Sequence, residues 1–400
     1  MFEQTLNERQ PRIDKLLLLA IAGLILIGLA FIYSATMAHE SARSAPLLDQ
    51  LWLRQAIWYG VGLCLAATLC LVDYRVLAPW AYLGYWIAIL ALVAVFFFGT
   101  YRGGARRWID MGPFLLQPSE FAKLAFIFAM AQFLSRPAEQ LKSPLNFWKP
   151  IGMMCLPFVL IMEEPDLGSA LVLIPTGLAM MFCAGTPRRF LLRLIGAGGI
   201  VAALFLVDIL FAPPGWQIKL GDYQRHRLLV YFGVDFAPRN ASPAEKQRAR
   251  ELQRARSYQV RQAMIAVGSG GATGKGWQNG DQVRGGFLPP GAAHNDFIFS
   301  VIAEEKGFVG SIVVLTLYSV VLFSGIRIAG QARDRLGKLM AVGVVTLLFS
   351  HIFINIGMNI RIVPVTGIPL PLLSYGGSSV IASLIALGML HNVYIHRKGY

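Results

Sequence analysis

The stretch Leu17–Ala35 carries no charged residue, and Leu191–Ala212 carries only Arg193 and Asp208. A helix needs about 20 mostly apolar residues to cross a hydrocarbon core. Lipid offers no water to backbone N–H and C=O groups, so such runs are restricted to helices that satisfy their own backbone. The pattern recurs along the chain and predicts an all-α polytopic membrane protein. We read ten transmembrane helices, near 15–36, 55–73, 77–98, 115–134, 147–162, 168–185, 190–212, 297–323, 339–359 and 373–394. The fifth is short and contains Pro157, so a half-span is an alternative there. Only 14% of the 400 residues are charged, against about 25% in soluble domains. No short apolar core with a small-residue cleavage site precedes the first run, which is therefore expected to stay as a signal anchor.

Short cytoplasmic loops carry the excess of Lys and Arg. Sixteen fall in the segments on the N-terminal side of the membrane and six in the short segments opposite. Both termini are therefore expected in the cytoplasm. The segment 213–296, between spans seven and eight, becomes a large extracytoplasmic loop within a single membrane domain spanning 1–400. It holds twelve Lys and Arg, and long loops translocate largely regardless of charge. Basic charge on that side suggests an anionic partner, such as a phosphate-bearing lipid head, rather than nucleic acid. The four cysteines lie inside apolar runs and the six histidines are scattered. Neither a disulfide framework nor a tightly held structural metal is expected.

Within the loop, Ser242-Pro243-Ala244-Glu245 has the form of a capping box with Pro at the first helical position. It would open a short helix bearing Lys246, Arg248, Arg250, Arg254 and Arg256, either a solvated charge run or a contact for phosphate. The glycine-rich stretch 268–276 fails as a nucleotide loop, because Ser269 stands where a glycine is needed and Gly276 where Ser or Thr is needed. A backbone nest with Lys275 for a pyrophosphate remains, beside a plain flexible turn.

Asp296 is the most telling single residue. It sits where the polar loop meets a hydrophobic helix, and a carboxylate at that seam is either functional or a helix N-cap. Asp296, Ser300 and Glu304 drift along one helical stripe roughly 12 Å long. On the fourth span, Glu120 and Lys123 lie three apart on one face, as a structural ion pair, a cavity wall, or both. Arg102, Arg106 and Arg107 precede Trp108, as phosphate ligands or interfacial anchors. Glu163-Glu164-Pro165-Asp166-Leu167-Gly168 forms a tight turn that aims Asp166 inward or at water. Residues 364–371 and 374–379, including Ser378, form a non-helical approach to the last span. Such backbone at membrane depth is either covered by protein or lines a cavity, and we favour the cavity.

These blocks together resemble the SEDS family (shape, elongation, division and sporulation), the RodA and FtsW proteins of bacterial cell-wall synthesis. The matching pieces are Arg107-Trp108-Ile109, 117–123, 164–168, 266–276, 295–307, Asn355-Ile356-Gly357-Met358 and 364–379, in family order. Pro364-Val365-Thr366-Gly367-Ile368-Pro369-Leu370-Pro371 is similar to the RodA branch rather than to FtsW. The chain departs from the family at three places. Pro290 and Asn295 replace a Glu and a Thr before the aspartate, with two residues inserted. The basic segment 239–256 is longer than usual, and Arg361 stands where a glycine is common.

The resemblance implies a ten-span fold in the bacterial cytoplasmic (inner) membrane and a peptidoglycan glycosyltransferase working on its periplasmic side. Such an enzyme joins lipid II, a disaccharide-peptide on undecaprenyl pyrophosphate, into glycan strands for cell elongation and rod shape. The family's essential aspartate falls on Asp296, its charged pair on Glu120 and Lys123, and its acidic turn residue on Asp166. A hydroxyl acceptor needs a general base, and an α-linked donor giving a β-linkage implies direct inversion. Asp296 is the expected base, with Arg107, Glu120, Lys123, Asp166, Lys275, Glu304 and Ser378 as expected substrate contacts. Arg107, Lys123 and Lys275 are the candidates to meet the leaving pyrophosphate, a task that a loosely bound divalent cation can share. The implied partner is a class B penicillin-binding protein, a single-span transpeptidase. It would dock on spans eight and nine and the outer loop, with Gly307, Gly310, Ser311 and Gly325 around span eight permitting close approach. The rival readings are a lipid II flippase, which needs no general base, and a scaffold that recruits synthases.

Overall fold

The computed structural model describes residues 13–38, 44–102, 105–112, 114–137, 144–211, 222–234, 236, 242–288 and 290–397. A helix underlies each of the ten expected spans. These are α1 Lys15–Met37, α2 Leu51–Leu71, α3 Ala81–Phe98, α4 Pro118–Leu134, α5 Pro144–Glu163, α6 Leu173–Cys183 and α7 Arg188–Phe211. Two loop helices follow, α8 Asp222–Phe232 and α9 Pro243–Ser269, and then α10 Ile298–Gln331, α11 Arg335–Asn359 and α12 Gly377–Ile395. Seven helical stretches among the described residues are long and apolar enough to cross a membrane. They belong to α1, α2, α3, α7, α10, α11 and α12. The chain is a polytopic helical membrane protein. Pro150 and Pro157 both lie inside α5 without ending it.

The last two helices form the centre: α12 packs along α2, and α11 lies against α10, α6 and α4. Of its apolar window α12 buries 83%, whereas α7 buries 6% and sits at the rim. A small antiparallel sheet not expected from the sequence joins α3 to α4: β1 Thr100–Arg102, β2 Ala105–Asp110 and β3 Leu115–Leu116, in that order. Thr100 pairs with Trp108, and Ile109 with Leu116. Side chains alternate along a strand, so Arg106 is exposed while Arg107 is half-buried on the opposite face.

The expected capping box is present. Ser242 accepts from the Glu245 N–H, and Glu245 accepts from the Ser242 N–H at 2.8 Å. The helix it opens runs much further than the basic segment. At its far end Ala263 and Ala266 are fully buried, and α9 packs on α10 and α11.

The glycine-rich stretch after α9 is neither a nest nor a free turn. Helix α10 breaks at Gly307, whose φ of 62° and ψ of −156° belong to a region that essentially only glycine enters. A break inside a span strands backbone groups that lipid cannot satisfy. Here the loop satisfies them. Lys275 and Gly276 donate to the carbonyls of Glu304 and Glu305, each at 3.0 Å, while Phe308 and Val309 donate to those of Gly271 and Ala272 at 2.9 and 3.1 Å. The fit leaves no room, since a Cβ on Gly307 would fall 2.4 Å from the Gly274 nitrogen. We expect Gly307→Ala to destabilise the purified protein by at least about 2 kcal/mol. Gly330→Ala, in open space on the same helix, should be neutral or stabilising by about 0.5–1 kcal/mol. Thermal unfolding in detergent checks both, and equal midpoints for the two variants would contradict this account.

Candidate active site

Three irregular segments meet around Asp296. The first is the seam itself, residues 294–297, between the short turn Pro290–Ala293 and α10. Helix α10 starts after Phe297 with no side-chain cap, so Asp296 is not its N-cap. Instead, the backbone of Asp296 is held from α11. Asn355 and Asn359, one turn apart and fully buried, each donate to the Asp296 carbonyl at 3.1 Å. Asn359 in turn accepts from Ser300 Oγ at 2.6 Å. The second segment is the approach to α12. Ser374 Oγ donates to the Asn295 carbonyl at 2.6 Å, and Tyr375 N–H to that of His294 at 2.9 Å.

That approach is mostly covered by protein, the alternative to the cavity setting favoured from the sequence. Ile368, Leu370, Leu372 and Leu373 are buried. Asn355 donates to the Ile368 carbonyl at 2.7 Å, and Tyr59, Tyr318 and Gln55 satisfy those of Leu372, Pro371 and Ser374. The exception is Gly367, in the left-handed region at φ 78°. A Cβ there would lie 3.5 Å from an Asp296 carboxylate oxygen and 3.4 Å from the Arg227 guanidinium. Arg227, from α8, also donates to the Thr366 carbonyl at 2.7 Å. Gly367 is thus the bare floor beneath a carboxylate and an arginine.

The third segment is the acidic turn 164–168. It docks on the approach to α12, because a Cβ on Gly168 would fall 2.4 Å from Ile368. Arg107 reaches it from β2, donating Nε to the Glu164 carbonyl at 3.1 Å and Nη2 to that of Pro165, with Nη1 4.0 Å from Asp166. Asp166 caps the following helical turn through the Ser169 N–H at 3.2 Å and accepts from Gln117 Nε2 at 3.1 Å. Ser378 joins the same seam, accepting from the Gln117 N–H at 3.0 Å and donating to the Leu115 carbonyl at 2.9 Å.

The electrostatics follow this convergence. Burial pushes the Asp296 carboxyl above the usual aspartate range; Arg227 and then Arg107 pull it back, and Asp166 pushes it further up. Glu164 is 1% exposed, and neither of its carboxylate oxygens has a hydrogen-bond partner. Burial, with Asp166 adding and Arg107 opposing, pushes its carboxyl up to about 8.

The other expected site residues are held elsewhere. Lys123 donates to Glu120 at 2.7 Å and lies 3.1 Å from His351 Nε2, all three buried within the bundle. Lys275 pairs with Glu304 at 2.7 Å and Asp281 at 2.9 Å, and Glu304 also accepts from the Gln282 N–H. The stripe of Asp296, Ser300 and Glu304 therefore splits into the seam, its clamp, and the anchor of the glycine-rich loop. Among the described residues no three His, Cys, Asp or Glu side chains are grouped to hold a metal ion.

Sequence reasoning missed Arg227, His351 and the role of Asn355 and Asn359. The asparagines had a signal, since two amides at i, i+4 within an apolar span need partners. Arg227 had none to separate it from the other loop arginines.

Glu164 makes a testable link between pH and stability. A carboxyl raised in the folded state contributes fully below its unfolded value, near 4.3. That contribution is lost as pH rises through about 8. Glu164→Gln removes the dependence. Its unfolding midpoint in detergent should gain on that of the parent between pH 5 and pH 9, and a constant difference across that range would contradict this.

The family described as cell cycle protein, FtsW/RodA/SpoVE, matches residues 14–399. The peptidoglycan glycosyltransferase MrdB of Escherichia coli K12 is 34% identical over 386 residues, covering 96% of this chain and 94% of its own. The peptidoglycan glycosyltransferase RodA of Treponema pallidum is 33% identical over 443 residues, covering 95% and 97%. A solved chain from a peptidoglycan synthase complex, described as coordinating polymerization and crosslinking, superposes with a TM-score of 0.72 at 28% identity, covering 96% of this chain and 98% of that one. With a match over nearly its whole length, this chain belongs to the FtsW/RodA/SpoVE (SEDS) family.

Proposed function

We propose that this protein is the elongation-type peptidoglycan glycosyltransferase of its cell, polymerising lipid II at the periplasmic face of the cytoplasmic membrane. The observation that carries the reading is the half-buried Asp296 carboxylate, clamped through its backbone and set beside Arg227 over Gly367. The names of its relatives support the same activity. In this reading the chain crosses the membrane ten times with both termini in the cytoplasm. Residues 213–296 are then the periplasmic loop of a single domain spanning 1–400.

The reaction forms a bond between the acceptor's 4-hydroxyl oxygen and the donor's anomeric carbon, and breaks the bond from that carbon to the pyrophosphate. Asp296 takes the hydroxyl proton, which makes the oxygen nucleophilic as the bond forms. Undecaprenyl pyrophosphate leaves with the bonding electrons, and positive charge must meet it. Arg227 and Arg107 are the cations coupled to Asp296, whereas Lys123 and Lys275 are engaged by carboxylates. The buried Glu120–Lys123 pair then acts by shaping the bundle beneath the site, Asp166 by capping the turn whose carbonyls hold Arg107, and Ser378 by tying the start of α12 to Leu115 and Gln117.

Purified protein given lipid II should make glycan strands. Asp296→Asn should lower the rate by about 10²–10⁴ while leaving the unfolding midpoint near that of the parent. The base works deprotonated, so activity should fall as pH drops through a carboxyl value above the ordinary aspartate range. Arg227→Gln removes a charge that holds this value down, and should move the acidic limb to higher pH. Near-normal chain formation by Asp296→Asn would remove the base assignment.

The partner expected is a class B penicillin-binding protein, whose transpeptidase would crosslink the strands as they emerge. The resemblance to a chain from a synthase complex supports this. The outer end of α10 presents exposed Phe308, Val309, Ile312 and Val313, an apolar face for a single-span helix. Co-purification of the transpeptidase with the parent, and its loss when Val309 and Val313 are both changed to Ser, checks this docking face. Full retention would place it elsewhere.

A further inference from the structure

Two cavities lie between α8 and α9. The inner one, about 330 Å³, is lined by His226, Arg227 and Gln259, and its Arg227 is the guanidinium that lies over Gly367 with Asp296. The outer one, about 560 Å³, sets Arg261 and Arg361 among apolar Met264 and Ile265. Val230 and Val260 line both, so the two adjoin along the α8–α9 seam as inner and outer halves of one groove region.

Its walls are fixed. Tyr231 donates to the Ile362 carbonyl at 2.7 Å, tying α8 to the turn after α11, and Gln253 Nε2 donates to that of Val234 at 3.3 Å, tying α9 to α8. Arg361 occupies that turn at φ 59°, in the left-handed region that favours glycine. A long cationic side chain is kept there against its backbone preference, and strain of this kind gathers where a side chain is needed. The turn directly follows Asn359, which holds the Asp296 carbonyl.

We propose that the outer half of this groove is a subsite for the acidic peptide stem of the disaccharide unit. Arg261 and Arg361 pair its carboxylates while the sugars reach Asp296 past Arg227. The inference rests on the polymerase reading. Guanidinium groups match carboxylates as planar forks, and Met264 and Ile265 suit small apolar side chains between the acids. A free lipid head would need the same charge but no connection to Asp296. The adjoining inner cavity, walled by the arginine that stands beside Asp296, favours a ligand covalently joined to the sugar being transferred.

The test compares parent, Arg261→Gln and Arg361→Gly on lipid II with free stem carboxylates and with the same carboxylates amidated. Arg361→Gly removes the cation at a backbone position that glycine adopts freely, so misfolding is not expected to explain a loss. Each variant should raise KM for the acidic stem about tenfold with kcat little changed, and the gap should narrow with amidated stems. Unchanged KM overturns the subsite. So does a rise that ignores amidation and follows the anionic phospholipid content of the vesicles, which would make the groove a lipid-head site. Calorimetric binding of the soluble disaccharide-peptide needs no turnover. A parent that binds it but makes no glycan, with binding lost in the variants, supports the subsite and removes the polymerase reading. A parent that polymerises while the variants bind as tightly overturns the subsite alone.

Discussion

Two asparagine amides one helical turn apart hold the carbonyl of Asp296, and the rest of the site depends on that grip. Each donates at 3.1 Å, and the pair is braced by Ser300 on one side and Ile368 on the other. Hydrogen bonds of this kind between membrane helices average about 0.6 kcal/mol, so the clamp adds little to stability. Its effect is positional. A reacting group has to be held to within about 0.5 Å, and here the hold is on the backbone, which leaves the carboxylate oxygens unclaimed by the clamp. Helices α10 and α11 and the approach to α12 are thereby locked to one another at the water–lipid seam.

The same region contains the least regular backbone of the bundle. A broken span and a non-helical approach both expose groups that lipid cannot satisfy, and the protein answers each differently. The break at Gly307 is closed by backbone from the glycine-rich loop, which requires bare glycines at the contact. The approach to α12 is closed by side chains, Tyr59, Tyr318, Gln55 and Asn355, arriving from three helices. Irregularity is kept where it serves the site. Gly367, at a positive φ that side chains rarely adopt, lies under Asp296 and Arg227, where a Cβ would touch both.

Much of this was legible in the sequence, for reasons that differ by element. Seven long helices follow from apolar run length, and the start of α9 from the capping box at Ser242. Asp296 stood out because a carboxylate is conspicuous at the end of an apolar span. Contacts that depend on distant segments meeting were not legible. The stretch 268–276 looked like a nest or a turn because nothing in it announces a partner thirty residues later. Lys275 and Glu304 looked like separate ligands and form one pair. The helix opened by Ser242 was expected to be short and basic, yet it runs on to Ser269, where Ala263 and Ala266 are buried and the helix packs against α10.

The distribution of cations around the site has a physical logic. A lysine is a compact charge that a single carboxylate can take up, and both candidate lysines are so held, Lys123 by Glu120 and Lys275 by Glu304. Arginine spreads its charge over a planar fork. Arg107 spends its hydrogen bonds on the carbonyls of Glu164 and Pro165, and Arg227 donates to that of Thr366. Carbonyls orient a guanidinium without neutralising it. The site therefore keeps two guanidinium groups beside Asp296, oriented by carbonyls with Asp166 at 4.0 Å from one of them, which suits a reaction that takes up a proton and releases a pyrophosphate in one step. Glu164, buried without a hydrogen-bond partner, is compatible with this only while it is protonated. Its raised carboxyl at neutral pH keeps a second negative charge away from Arg107, which the turn's carbonyls hold.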